Sequence, residues 1–163
     1  EELAGDVFIA GFANARTTLE KVLEQHRQID ALDRLALAID AHLRLTVKNS
    51  DYTRAASTRL RGDVPVSVLE RCRPAEKAYV TVWSRLFADA NEQGFLREGI
   101  DLKLAQNMLL GALHAISFSW KPTRMPHVDV VVSSAQRTLL SGLASEPRPW
   151  ELVGATKATA VTS

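Results

Sequence analysis

Hydrophobic positions recur every three or four residues along most of the chain, which is the period of an amphipathic α-helix. The pattern predicts helices over about 3–26, 30–48, 51–61, 66–93, 102–120 and 128–143. Asp30 or Asp33 can cap the second helix, and Gly94 suits the position just beyond the end of the long fourth one. Pro74 is expected to kink or restart that long helix, because proline lacks an N–H and crowds the preceding turn. The sequence therefore predicts an all-α fold of about six helices.

The helix predicted over 102–120 is apolar nearly all round, whereas a surface helix of a small domain is apolar on one stripe only. Leu102, Leu109, Leu113, Ile116 and Trp120 share one side, and Leu104, Met108, Gly111, Ala115, Phe118 and Ser119 share the opposite side. Both sides favour burial, so we expect one to face the domain core and the other a symmetric partner chain. A helix wrapped entirely by its own domain is the alternative.

Small residues at four-residue spacing would let a partner helix approach closely. The predicted dimer-interface residues are Met108, Gly111, Ala115, Phe118 and Ser119. We therefore predict a homodimer that forms through the last two helices.

Composition is typical of a single globular domain with a real core: 163 residues, 46% hydrophobic and 24% charged. The net charge of +1 gives no basic face for nucleic acid or an anionic membrane. The lone Cys72 excludes an internal disulfide framework and fits a reducing cytoplasm. The sequence shows neither a signal-peptide pattern nor a long apolar span, so we expect a cytoplasmic protein without membrane contact.

The composition changes near Glu146, where two prolines are followed by small residues and threonines. This change predicts a folded domain over 1–145 and a mobile tail over 146–163.

The sequence contains no recognisable catalytic or metal-binding motif. Its four histidines lack metal-ligand spacing, Cys72 has no cysteine partner, and there is no glycine-rich phosphate loop or nucleophile elbow. We predict no metal, no cofactor and no enzymatic activity. An enzyme on this chain would need catalytic residues that meet only in space.

Two aromatic residues on the long helix, Tyr79 and Trp83, lie one turn apart and are either core residues or walls of a pocket. His42 lies near the apolar stripe of its helix, either bonded to backbone or serving as a polar anchor in a ligand cavity. His114 can contact either the core or a partner chain. The predicted ligand-binding residues are Ile39, His42, Leu43, Tyr79, Trp83, Leu109 and Leu113.

Three arginines, Arg54, Arg59 and Arg61, cluster after the second helix. They are either a solvated face or the mouth of a site for an anionic ligand such as an acyl-coenzyme A.

Several short motifs occur in a characteristic order: an acidic, alanine-rich helix end, a glycine before a hydrophobic pair and a basic residue, a helix entry and an aromatic–basic–proline closure. They are Ala88–Ala90, Gly94–Arg97, Asp101 with Leu104 and Ala105, and Trp120–Pro122. The short run Glu1–Leu3 opens the first predicted helix. Together these motifs resemble the C-terminal regulatory domain of TetR-type bacterial transcriptional repressors over about residues 1–145.

The resemblance implies effector sensing and dimerisation through the last two helices. A small apolar or amphipathic effector would enter between the helices over 30–48, 66–93 and 102–120. Some members of the family bind an acyl-coenzyme A, which is one possible effector. The first helix would then shift and release the repressor from its operator. DNA contact is expected only through an N-terminal helix-turn-helix outside these 163 residues. A ligand-free helical dimerisation module is the alternative.

Overall fold

The computed structural model describes residues 2–48, 65–119 and 126–146, and these residues are all-α, as predicted. The helices are α1 (Glu2–Gln25), α2 (Ala31–Lys48), α3 (Val66–Glu92), α4 (Leu102–Ser119) and α5 (Val128–Leu143). The predicted helix over 51–61 with its arginine cluster, the closure at 120–122 and the tail from 147 onwards lie outside the described residues. None of the helices in the described ranges has the length and apolarity needed to cross a membrane.

Local sequence signals set the helix ends. The Asp30 carboxylate accepts hydrogen bonds from the backbone N–H groups of Leu32 and Asp33, at 3.0 and 2.9 Å, so this residue caps α2. Gly94 has φ +74° just after α3, which is the left-handed conformation that glycine adopts without steric cost. The helix α3 continues through Pro74 as a single element rather than restarting there.

The helix α2 lies at the centre of the fold and packs against all four of the other described helices. Its middle section is buried on every side, including Leu35, Ala38 and Ile39, which are fully inaccessible to solvent. The most extensive contact elsewhere joins α1 to α3, and α4 covers α2 and α3. The helix that carries His42 is therefore surrounded by the elements that supply the other predicted site residues.

The turn after α3 forms hydrogen bonds with the end of α5. Leu96 forms an isolated antiparallel bridge with Ala144, just beyond α5. The Arg97 guanidinium donates to the backbone oxygens of Ala144 and Ser141, at 3.0 and 3.2 Å. These bonds satisfy carbonyls at the end of α5, so the glycine–hydrophobic–basic motif holds the turn after α3 against the end of α5.

An ion-pair network joins α2 to α5, in which Asp40 is buried and the side chains of Arg44 and Asp129 are partly exposed. The Arg44 guanidinium donates to the Asp40 carboxylate at 2.8 Å and to the Asp129 carboxylate at 2.6 Å. Burial raises the pKa of Asp40, and the charge and hydrogen bond of Arg44 oppose that rise. The hydrogen bond from Arg44 lowers the pKa of the Asp129 carboxyl. A buried carboxylate that loses such a partner is costly to keep charged.

Replacing Arg44 by leucine is expected to lower the free energy of unfolding by about 1–3 kcal/mol at neutral pH, because Asp40 stays buried without its cation. The pKa of Asp40 should rise further in this variant. As the pH falls towards 4.5 the Asp40 carboxylate should therefore take up a proton, which removes its unpaired charge, and the loss in free energy of unfolding relative to the wild type should become smaller. Urea denaturation at both pH values measures the difference. Arg73→Leu, at an exposed site on α3, is the control. A loss in Arg44→Leu that is independent of pH would contradict this account.

Candidate functional site

Three aromatic side chains from α2 and α3 form a buried polar cluster, here called the His–Tyr–Trp cluster (His42, Tyr79 and Trp83). The Tyr79 hydroxyl lies 2.6 Å from His42 Nδ1, within hydrogen-bond distance. The Trp83 ring stands at 75° to each of the other two rings, with centroids 6.3 Å apart. Phe12 of α1 packs on the outer side of Tyr79, 6.2 Å between centroids. The partner of His42 is therefore a side chain and not the backbone.

Two polar atoms of this cluster are enclosed without a hydrogen-bond partner among the described residues: His42 Nε2 and Trp83 Nε1. His42 as a whole is half-buried, but this nitrogen is shielded from solvent. Buried polar atoms are nearly always paired in native proteins, so an orphaned pair calls for an explanation. A ligand that supplies the missing partner is one such explanation.

Burial, and then the nearby charge of His114, lowers the pKa of His42 to about 3. The two imidazole rings lie 5.9 Å apart, with His114 approaching from α4. Desolvation penalises the charged form of histidine, so His42 is neutral at physiological pH. The cluster therefore offers uncharged hydrogen-bonding groups.

The other predicted ligand-binding residues come from α2 and α4. Ile39, Leu43, Leu109 and Leu113 are buried in the same hydrophobic core as Tyr79 and Trp83. All four are at most 2% exposed. Their contact with a ligand stays a prediction.

A small cleft opens beside the cluster on its α1 side. It is lined by Ala15, Thr18, Leu19, Ala41, His42, Leu45 and Tyr79. Its volume of about 10 Å³ is room for roughly one water molecule. Sequence reasoning placed the site between α2, α3 and α4, and did not include the α1 wall. The helical spacing of Ala15 and Leu19 marks an inner face of α1, but it does not reveal which helix that face meets.

The neutral state of His42 predicts a specific pH dependence of stability. Because the folded pKa lies below the unfolded value of about 6.5, the unfolded chain takes up a proton first as the pH falls, and the fold loses stability. Between pH 7 and 5 the loss from this residue should be about 2 kcal/mol. Urea denaturation at several pH values gives the slope of the free energy of unfolding against pH. The difference between the slopes of the wild type and of His42→Phe measures the contribution of this residue. His26→Phe is the control, and equal slopes for wild type and His42→Phe would refute the prediction.

The outer side of α4 carries the predicted dimer-interface residues, and every one of them is exposed. Met108 is 67% exposed and Phe118 42%, alongside Gly111, Ala115 and Ser119. Leu104, 58% exposed, extends this apolar strip. The inner side holds Leu109 and Leu113, so the division of α4 into two faces is confirmed. The partner on the outer face remains a prediction.

The described residues contain no group of three or more histidine, cysteine, aspartate or glutamate side chains that could hold a metal ion. The cluster has one histidine bonded to a tyrosine, and the lone Cys72 lies in a separate small core. The arrangement is suited to hydrogen bonding in an apolar surrounding.

Solved structures of bacterial regulators share this fold. A TetR-family regulatory protein from Rhodococcus RHA1 superposes with a TM-score of 0.74 at 15% identity, over 88% of this chain and 73% of that one. The fatty acid degradation regulator FadR from Bacillus halodurans gives 0.72 at 20% identity, over 85% and 76%. The ketosteroid transcriptional regulator KstR2 of Mycobacterium tuberculosis gives 0.67 at 14% identity, over 90% and 74%. At these identities the likeness establishes the fold.

Comparison of the sequence with known proteins gives a complementary result. No curated protein matches the sequence. The family model for the tetracyclin repressor-like C-terminal domain matches residues 28–122, which is more than half of the chain and includes α2, α3, α4 and the motifs between them. The chain therefore belongs to the tetracyclin repressor-like C-terminal domains of TetR-type transcriptional regulators.

Proposed function

We propose that this chain is the effector-sensing and dimerisation domain of a TetR-type regulator, in which a small apolar or amphipathic molecule releases the full-length protein from operator DNA. The observation that carries the proposal is the His–Tyr–Trp cluster, with two buried polar atoms that lack partners. A filled core without a ligand would favour apolar side chains at these positions, because each orphaned polar group costs free energy.

The apolar setting of the cluster supports an apolar effector. Its surroundings include Leu19, Ile39, Leu43 and Leu113, all of which are buried. Two structural neighbours are regulators of fatty acid degradation and of ketosteroids. We propose an effector that is likewise apolar here.

The position of α1 suggests how binding would be transmitted. Ala15, Thr18 and Leu19 of this helix form one wall of the cleft. The N-terminal part of α1 is tied to α3 by the 2.8 Å ion pair of Asp6 with Arg71. A molecule that enlarges the cleft would push the middle of α1 while its start stays attached, so the helix would tilt. An effector shifts such an equilibrium only by its difference in affinity for the two positions of α1.

The second candidate function is a ligand-free dimerisation module. The specific observation in its favour is the small cleft, which accommodates about one water molecule. The exposed apolar strip on α4 would then be the functional surface. A test must therefore measure ligand binding and dimerisation separately.

Thermal unfolding with palmitic acid, palmitoyl-coenzyme A and androstenedione as probes distinguishes the two functions. A ligand at a hundredfold excess over its dissociation constant should stabilise the fold by about 2.7 kcal/mol. Thr18→Trp should fill the cleft and abolish that shift without changing the dimer, whereas Thr17→Trp, at the exposed neighbouring position, should retain it. If no probe stabilises a chain that dimerises normally, the dimerisation module is the better function.

A further inference from the structure

The first turns of α1 and α3 lie side by side and pack around a small core of their own. We propose that these paired ends (residues 2–9 of α1 and 66–73 of α3) move as one body about a hinge at Gly11 and Pro74, and that a molecule in the cleft drives the movement. The driving role of the cleft rests on the sensing function proposed above. The moving part is then a pair of helix ends rather than α1 alone.

The core of the paired ends is separate from the main hydrophobic core among the described residues. Three buried side chains and one half-buried side chain form it: Phe8, Val68 and Cys72, with Ile9 packed against them. The rest of the buried apolar side chains belong to a cluster that includes α2, α4 and α5. A core of four side chains makes few contacts, so it should open at a much lower free energy than the main core.

Polar contacts also attach the paired ends to each other. The Arg71 guanidinium donates to the Asp6 carboxylate at 2.8 Å, and the Cys72 thiol lies 3.7 Å from the backbone oxygen of Gly5. A Cβ added to Gly5 would lie 3.2 Å from Arg71 Nη1, so the two helices approach closely here. Any movement of the start of α1 should therefore carry the start of α3 with it.

The boundary between the two cores coincides with a weak point in each helix. It falls between residues 9 and 12 on α1 and between residues 72 and 79 on α3. Gly11 lies in the first interval and Pro74 in the second. Glycine makes a helix less stable than alanine does, and Pro74 has no N–H to donate to the carbonyl of Glu70. Two neighbouring helices that are weakened at the same level form a hinge.

The cleft begins about one helical turn beyond this hinge. Ala15 and Thr18 of α1 and Tyr79 of α3 line it, and Phe12 packs on the Tyr79 ring with centroids 6.2 Å apart. A molecule that enlarges the cleft would move α1 away from Tyr79. Because the paired ends stay attached to each other, this movement would rotate them together relative to the main core. The bound molecule shifts the equilibrium only by its difference in affinity for the two arrangements.

Hydrogen exchange of the full chain, followed by mass spectrometry, tests whether the paired ends form one unit. Val68→Ala removes packing from the small core and should speed exchange about tenfold in residues 6–9 and 70–73 alike. Residues 15–23 and 79–87, beyond the hinge, should change by less than about twofold. Phe8→Leu, made on the other helix, should give the same pattern. Ser67→Ala, at an exposed position in the same turn as Val68, is the control.

Substitutions at the hinge give a readout that crosses from one helix to the other. Gly11→Ala and Pro74→Ala each strengthen one helix, and each should slow exchange about threefold or more in residues 6–9 and 70–73 together. Gly142→Ala, which also replaces a helical glycine and has open space around its Cβ, should leave both segments unchanged. An effect confined to the substituted helix would mean that the two ends fray independently, and it would overturn the inference. So would an equal effect of Val68→Ala on both sides of the hinge.

The same measurement with palmitic acid, palmitoyl-coenzyme A and androstenedione tests the driving role of the cleft. A probe that binds should change exchange in residues 6–9 and 70–73 by the same factor, about threefold or more. A bound probe that leaves both segments at their free rates overturns the inference and leaves the sensing function in place. If none of the three probes binds, the sensing function fails for these effector classes and the driving role fails with it, whereas the variants still decide whether the paired ends are a unit.

Discussion

Gly111→Glu is expected to convert the proposed homodimer into monomers. Gly111 lies on the exposed side of α4, and a Cβ added there meets no atom of its own protomer within 4 Å. The fold itself should therefore accept the new side chain, and leaving glycine within a helix should slightly favour it. In the dimer the glutamate would be buried against the opposing helix without a partner, at a cost of about 3–5 kcal/mol. Sedimentation velocity should report a dissociation constant raised by more than about a hundredfold.

Two controls separate the charge from its position. Gly111→Gln has nearly the same size without the charge and should weaken the dimer less. Ala13→Glu adds the same charge at an exposed position on α1 and should leave the dimer intact. A stable dimer of Gly111→Glu would mean that the outer face of α4 is not the interface.

The helical fold was predictable because its information is local. The alternation of polar and apolar positions fixed the bounds of α5 at Val128–Leu143 and those of α2 and α3 to within one or two residues. The two faces of α4 also followed from spacing, since Leu113 is inaccessible whereas Met108 is 67% exposed. These features depend on the 3.6-residue period and not on which helices meet.

The details of the site depend on contacts between distant parts of the chain. The bond of His42 with Tyr79 joins residues 37 positions apart, and that of Arg44 with Asp129 joins residues 85 apart. Periodicity placed His42 and Tyr79 towards the core, but it could not determine their partners. The cleft against α1 was missed for the same reason, because a stripe on one helix does not specify which neighbour covers it.

Trp83→Ala is expected to have the largest effect on stability of any single change at the site. The side chain is completely buried between α2 and α3. Replacing a buried tryptophan by alanine removes apolar contact and leaves a cavity, at a cost of about 3–5 kcal/mol. The midpoint of thermal unfolding should fall by roughly 6–20 °C in a domain of this size. The exposed strip on α4 is unaffected, so the chain should remain a dimer by sedimentation.

The same variant tests the role of Trp83 in sensing. If the indole is a wall of the effector site, the thermal shift caused by a bound probe should weaken together with the stability. Trp83→Phe separates the two roles, because it retains most of the packing and removes an N–H that has no described partner. That variant should be only slightly less stable than the wild type, since the loss of contact is offset by relief of an unpaired polar group. A weaker probe-induced shift in this variant would assign the effect to the indole N–H. If Trp83→Ala retained the full ligand-induced shift, the indole would be a core residue alone, and the ligand would bind elsewhere.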